Sequence, residues 1–185
     1  MNTVQSSSPL EFEVYLLVTM QHGMINRQAV LESKLSERGL SFMDAQKIHQ
    51  RLADLFAHSG SQFEDLKRLV GATGGGARSL TYNGVLWPEF AFTASADGVG
   101  ALESARYMRE NGRPVAALSP VEQPPWSMDT SDFNDHFGPT ALTYRSSLFD
   151  SVLPAHEVHE FTWEGTRYGA GFSWGLFLFA SKLWT

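Results

Sequence analysis

A glycine run, Gly71 and residues 74–76, divides this chain into two parts with different hydrophobic patterns. Before the run, apolar residues recur at three- and four-residue steps, the spacing of one helix face. After it, short apolar and aromatic segments alternate with Gly, Pro and Asn-Gly pairs, which is typical of strands and turns. We therefore predict a single α+β domain in which a helix-rich segment, residues 1–70, packs on a mostly antiparallel sheet, residues 79–185, with 71–78 as a flexible linker.

Serine caps mark two helix starts in the first part. Ser41 precedes Asp44 and Ser61 precedes Glu64 at the three-residue spacing in which such pairs satisfy the free amides of a first turn. Apolar residues follow each cap at helical spacing, so a helix is predicted behind each. A third helix is predicted over residues 26–38, because good helix formers there end at a glycine.

Other segments of the chain are assigned from local pattern. Residues 10–18 alternate apolar and acidic residues and then become apolar, which favours a strand and leaves a helix as the alternative. Asp97 is a candidate N-cap for a helix that includes residues 101–108. Residues 114–118 predict a short strand, and the proline-rich stretch 119–139 predicts a long surface loop.

Turn signals organise the remaining strands. Asn83 and Gly84 predict a tight turn between two strands, because this pair tolerates positive φ. Further strands are expected at residues 140–145, 158–163 and 166–172, and a turn at Glu164 and Gly165 joins the last two. The apolar stretch 172–184 is too short to span a bilayer, so it predicts a buried strand or terminal helix.

Composition narrows the classes of function. The chain has 185 residues, of which 43% are hydrophobic and 18% charged, enough for one packed domain. Fourteen basic against twenty acidic residues give a net charge of −6, the wrong sign for direct nucleic-acid binding. The absence of cysteine excludes disulfides, thiolate metal sites and thiol nucleophiles. The start of the chain lacks the pattern of a secretory signal, so we expect a cytoplasmic protein without membrane association.

Acidic and aromatic residues concentrate between residues 114 and 164, where eight acids face a single arginine. Aromatic anchors within a charged field are typical of protein interfaces, and this charge favours a basic partner. The same pattern also fits an acidic solubilising surface over an aromatic-rich core. The candidate partner-binding residues are Trp126, Asp129, Asp132, Phe133, Asp135, Glu157, Glu160 and Trp163.

The enzymatic alternative is a small hydrolase or a metal-dependent enzyme, in which His136, His156 or His159 acts with nearby carboxylates as general acid and base. The spacing between His156 and His159 is three residues, whereas a zinc-protease helix requires four, so we predict no metal or cofactor. The Gly-x-Ser-x-Gly string at residues 171–175 resembles a hydrolase elbow, but neither an acid nor a histidine follows it. A purely structural subunit is a third alternative.

The chain resembles the immunity proteins of bacterial polymorphic toxin and type VI secretion systems. The resemblance lies in its small acidic domain, its helix-rich first third and its Trp- and Gly-rich segments at residues 87–90, 163–165 and 169–174. It implies a non-enzymatic protein that binds one cognate toxin, often a nuclease or another basic enzyme, and blocks its active site. No family motif matches position by position, so the resemblance assigns no functional residue.

Overall fold

The computed structural model describes residues 8–21, 27–58, 60–71, 78–147 and 154–184. Its helices are α1 (Ser8–Met20), α2 (Arg27–Ser36), α3 (Phe42–Ala57), α4 (Gln62–Val70) and α5 (Thr130–Phe137). Strands β1 (Ser79–Asn83), β2 (Phe90–Ala96) and β3 (Leu102–Arg109) form one antiparallel sheet in that order. Strands β4 (Ala141–Ser147), β5 (Pro154–Trp163), β6 (Thr166–Ser173) and β7 (Leu176–Lys182) form a second. The predicted α+β class is confirmed.

The predicted helix caps are present. Ser41 Oγ accepts from the amide of Asp44 at 3.2 Å, and the Asp44 carboxylate accepts from the amide of Ser41 at 3.0 Å. Ser61 Oγ accepts from the amide of Glu64, and Gly71 ends α4 with a φ of +63°. Helix α2 lies within the predicted range. The predicted linker falls mostly outside the described residues.

Helix α1 replaces the strand predicted at residues 10–18. Apolar side chains on every side of this helix are buried, because α3 and α4 pack on it from one direction and the first sheet from another. The Phe12 ring lies 6.2 Å from Phe56 of α3 and 5.3 Å from Phe92 of β2. A helix enclosed in this way has no single apolar stripe, so its sequence shows no helical period.

A second, smaller core lies between α5 and the four-stranded sheet. The Phe133 ring of α5 contacts Phe161 of β5, Phe172 of β6 and Phe177 of β7, with ring centroids 5.0–5.4 Å apart. All four rings are buried. Helix α5 lies inside the stretch predicted to be a surface loop, so that prediction is wrong over residues 130–137.

The segment that enters α5 joins the two sheets. The amide of Trp126 donates to the carbonyl of Phe177 at 2.7 Å, and the amide of Phe177 donates to Met128 at 2.9 Å, which extends the second sheet. On the other side, the amide of Arg109 in β3 donates to the Asp129 carboxylate at 2.6 Å. We call residues 126–130 the seam, because β7 lies on one side of this segment and β3 on the other.

Two further local predictions are wrong. The Asp97 carboxylate accepts from the amides of Val99 and Ala101 at 2.9 and 3.0 Å, so it closes a turn between β2 and β3 rather than starting a helix. Residues 114–118 form no regular element. Strands β1 and β2 do pair, but residues 84–89 connect them in place of a tight two-residue turn. No helix among the described residues is long and apolar enough to cross a membrane.

Candidate functional site

Two of the predicted binding acids hold the seam together. Asp129 is buried, caps α5 through the amide of Asp132 at 2.8 Å, and accepts from the amide of Arg109. The Asp132 carboxylate accepts from Arg109 Nε at 2.7 Å, and both side chains are largely buried. The guanidinium also donates to the carbonyl of Ser127 at 2.7 Å. Asp132 therefore neutralises a cation of its own chain, and Asp129 satisfies backbone amides of its own chain.

The predicted acids of β5 are also paired within the chain. Glu157 binds Arg145 of β4, with Nη2 and Nε at 2.5 and 2.8 Å from Oε1. Glu160 binds Arg167 of β6 at 2.6 Å. Asp135, in contrast, is exposed, and no ionic partner lies beside it among the described residues. Of the five predicted acids, only Asp135 is thus free to meet a partner.

The predicted aromatic anchors have different environments. Phe133 is 0% exposed in the second core, so its predicted role as an interface anchor is wrong. Trp163 is half-buried against Phe137 and Tyr168. Trp126 is half-buried at the seam with a φ of +59°, and its ring lies 5.8 Å from that of Trp87. Trp126 and Trp163 are the predicted anchors that a partner can reach.

Trp126 lies between two adjoining clefts of about 360 and 310 Å³. The first is lined by α2 residues, which include Ala29, Val30 and Lys34, and the second by Val115, Arg113 and Trp87. We call the combined feature the Trp126 groove. Val115 and Leu118, on the segment that borders it, are 84% and 93% exposed. The groove therefore combines a large ring with aliphatic side chains that contact little of their own chain.

A third cleft, of about 410 Å³, lies between β3 and the second sheet, and we call it the inter-sheet cleft. Its walls are residues 103–106 of β3, Arg145 of β4, Glu157 and His159 of β5, and the turn at Trp174 and Gly175. Gly175 has a φ of +81°, and a Cβ at this position would lie 2.8 Å from the carbonyl of Tyr107. Glycine thus allows this turn to approach β3, and the cleft opens beside the contact.

A chain of hydrogen bonds reaches the β5 side of the inter-sheet cleft, where His159 and Glu157 line the wall. Thr140 Oγ1 lies 2.9 Å from His159 Nδ1, and His159 Nε2 lies 3.3 Å from Glu157 Oε2. The hydrogen bond from His159, and then the Arg145 guanidinium, lower the pKa of Glu157. The histidine is buried with both ring nitrogens in contact with polar groups. Such an arrangement positions an imidazole for proton transfer and also stabilises the fold.

The other predicted histidines are separate from this group. His136 is exposed on α5, with its ring edge-on to Phe137. His156 is half-buried, and burial lowers its pKa. Within the described part of the chain, no three metal-ligating side chains lie together as a site for an ion.

Sequence reasoning missed the buried carboxyl group of Glu13 in α1. It accepts from the amide of Val85 at 2.9 Å and from that of Leu86. Burial raises its pKa to about 7, although the amides of Leu86 and Val85 and the hydroxyls of Tyr107 and Tyr82 oppose the shift. Neither tyrosine hydroxyl makes a hydrogen bond of normal length and angle within the described part of the chain. Burial, followed by the charge of Glu13, raises the pKa values of Tyr82 and Tyr107. Glu13 alternates with apolar residues in the sequence, and nothing in that pattern identifies the tertiary contact.

Comparison of the chain with family models, with curated proteins and with solved structures gives no match in any of the three. The functional conclusions below therefore rest on the geometry of these clefts and on the charge of the chain.

Proposed function

We propose that the protein is a non-enzymatic binding protein of the immunity type, which inhibits a basic protein toxin by covering its active site. The observation that carries this proposal is the Trp126 groove, where a half-buried indole and the highly exposed Val115 line the same cleft, three residues before the equally exposed Leu118. Exposed aliphatic side chains grouped with an aromatic ring are typical of interface centres. The binding residues in this proposal are Trp126 and its aliphatic neighbours rather than the paired acids of 129–160.

The net negative charge of the whole molecule favours a basic partner. The net charge of −6 raises the encounter rate with a positively charged protein and makes that rate sensitive to salt. Exposed acids at Glu122 and Asp135 add to this field in the same part of the chain. The local charge of the Trp126 groove is mixed, since Lys34 and Arg113 line it together with Glu37 and Glu89. In this proposal the charge of the whole surface steers the partner toward the protein, and the Trp126 groove provides the affinity.

The test is growth rescue. The product of the neighbouring gene is expressed in a bacterial host with and without this protein, and we expect the protein to restore growth and to bind the purified product. Val115→Asp combined with Leu118→Asp should weaken binding at least about tenfold, because two exposed apolar contacts become charged and desolvated. Val99→Asp is the matched control, since Val99 is 86% exposed on the turn between β2 and β3.

Two outcomes would contradict the proposal. One is a neighbouring product that is harmless, or whose toxicity this protein does not relieve. The other is equal binding by the double variant and the Val99 control. Raising the ionic strength should also change the association rate constant more than the dissociation rate constant. Association becomes slower because salt screens long-range steering.

A second candidate function follows from the hydrogen-bond chain of Thr140, His159 and Glu157. A hydroxyl, an imidazole and a carboxylate in sequence are the parts of a nucleophilic or acid-base site, and here the imidazole and the carboxylate line an open cleft. If this site is catalytic, a screen of ester and amide substrates should detect turnover. The His159→Gln variant should lose that turnover, and the His136→Gln variant, changed at a distant histidine, should keep it. Activity that is equal in both variants would exclude this site.

A further inference from the structure

Two charged side chains in the inter-sheet cleft have no ionic partner among the described residues. Glu103 and Arg106, both on β3, are exposed and lie in the cleft wall. The other full charges of the cleft, Arg145 and Glu157, neutralise each other in a salt bridge. The cleft therefore presents one free anion and one free cation to whatever enters it.

A β-bulge explains why both charges reach the same cleft. Regular alternation would place residues 103 and 106 on opposite faces of β3. The register shifts between Ser95 and Ala96, which pair with Ser104 and Leu102, so that Glu103 is the additional residue. Bulges re-aim side chains in this way and are frequent beside binding sites. Residues 103–106 of β3 all line the cleft, because β3 is the outer strand of its sheet and the cleft runs along its free edge.

Backbone groups of Ala105 lie between the two charges. The amides of Tyr107 and Arg109 point away from β2, toward the carbonyl of Trp174 and the carboxylate of Asp129. Since backbone direction repeats every second residue along a strand, the N–H and C=O of Ala105 also point away from β2, into the cleft. No backbone partner lies across the cleft from Ala105 in the described part of the chain. One donor and one acceptor are thus unused at the centre of this wall.

We propose that the inter-sheet cleft binds a compact zwitterion, a free α-amino acid in chemical class. The carboxylate of the ligand accepts from the Arg106 guanidinium and the Ala105 amide, and its ammonium donates to Glu103 and to the Ala105 carbonyl. A volume of about 410 Å³ holds such a ligand with its side chain. This site is independent of the Trp126 groove and of the partner proposed for it.

The test is an NMR titration of the ¹⁵N-labelled full chain with L-amino acids. The chemical shifts of the Ala105 and Gly175 amides report binding. We expect saturable binding with a dissociation constant of about 1 mM or tighter for at least one of them. N-acetyl-L-alanine lacks the ammonium and L-alaninamide lacks the carboxylate, so each should bind at least about tenfold more weakly than L-alanine.

Variants separate this site from nonspecific effects. Glu103→Gln and Arg106→Gln should each weaken binding about tenfold or more while the thermal midpoint is retained, because neither side chain has a partner to lose among the described residues. Glu110→Gln and Arg78→Gln are the same charge changes at exposed positions outside the cleft and should bind like the unchanged protein. The proposal is overturned if no amino acid saturates by about 50 mM, well above the affinity expected, or if the singly charged analogues bind as well as the zwitterion.

Discussion

Single residues in this protein carry roles that depend on burial more than on residue type. Asp129 and Asp135 belong to one helical segment, yet Asp129 is buried against an amide of β3 and Asp135 is exposed. Glu13 is the extreme case, because its carboxyl group lies fully within the first core. A carboxyl group in this environment prefers its proton, so Glu13 should make folding stability depend on pH.

Replacing Glu13 with Gln should remove that dependence. The pKa of Glu13 is about 7 in the folded protein against 4.5 for an ordinary glutamate, so the folded state binds the proton more tightly. The stabilisation is complete below about pH 4.5 and is lost as the pH rises through 7, by roughly 3 kcal/mol in total. Urea unfolding at several pH values should show this decline for the unchanged protein and a flatter profile for Glu13→Gln. Parallel profiles would contradict the assignment.

At the scale of elements, two capping boxes with the same chemistry differ in the contacts that they make outside their own helix. The Ser41 box of α3 is exposed and satisfies only its own helix. The Asp129 box of α5 is buried, and Asp129 also accepts the amide of Arg109. Sequence spacing identified the first box. It did not identify the second, because the surrounding prolines indicated a loop.

Removal of each cap should therefore have a different cost. Ser41→Ala should lower the free energy of unfolding by about 1 kcal/mol, the usual value of a helix cap. Asp129→Ala should lower it by about 2–4 kcal/mol, because the buried amide of Arg109 also loses its acceptor. Chemical denaturation measures both values. Equal losses would mean that the contact between Asp129 and β3 contributes nothing.

For the whole molecule, Arg109 connects the two cores. Its guanidinium lies over the Phe90 ring of the first core at 4.5 Å and binds Asp132 and the Ser127 carbonyl at the seam. The first core contains the N-terminal helices and the second contains α5. Cooperative folding of the domain thus depends in part on contacts across a segment of five residues.

Arg109→Ala should weaken this connection. Removing one partner of a largely buried ion pair costs about 3–5 kcal/mol, since Asp132 is left without its cation. We expect far-UV circular dichroism and tryptophan fluorescence to give separate unfolding transitions in the variant and coincident transitions in the unchanged protein. Arg109→Lys keeps the positive charge but not the forked geometry of the guanidinium. The separation between its two transitions should therefore lie between those of Arg109→Ala and of the unchanged protein. Coincident transitions in Arg109→Ala would show that the cores remain coupled by other contacts.

Much of the fold follows from local signals. The caps at Ser41 and Ser61, the glycine that ends α4, and the turn at Glu164 and Gly165 each act within a few residues, so the sequence predicts them. Segments whose structure depends on distant partners were assigned wrongly. Helix α1 is enclosed on every side, and β3 follows a turn whose aspartate resembles a helix cap.

By itself, the sequence determined the α+β class, the order of most elements and the net negative charge, because periodicity, capping and composition are local or additive properties. Tertiary structure alone decided which acids are available. Asp132, Glu157 and Glu160 pair with cations from other parts of the chain, Asp129 accepts a backbone amide of β3, and only folding brings these groups together. It also decided that Phe133 is core and that Glu103 and Arg106 share a cleft, since burial and strand register are set by contacts between elements.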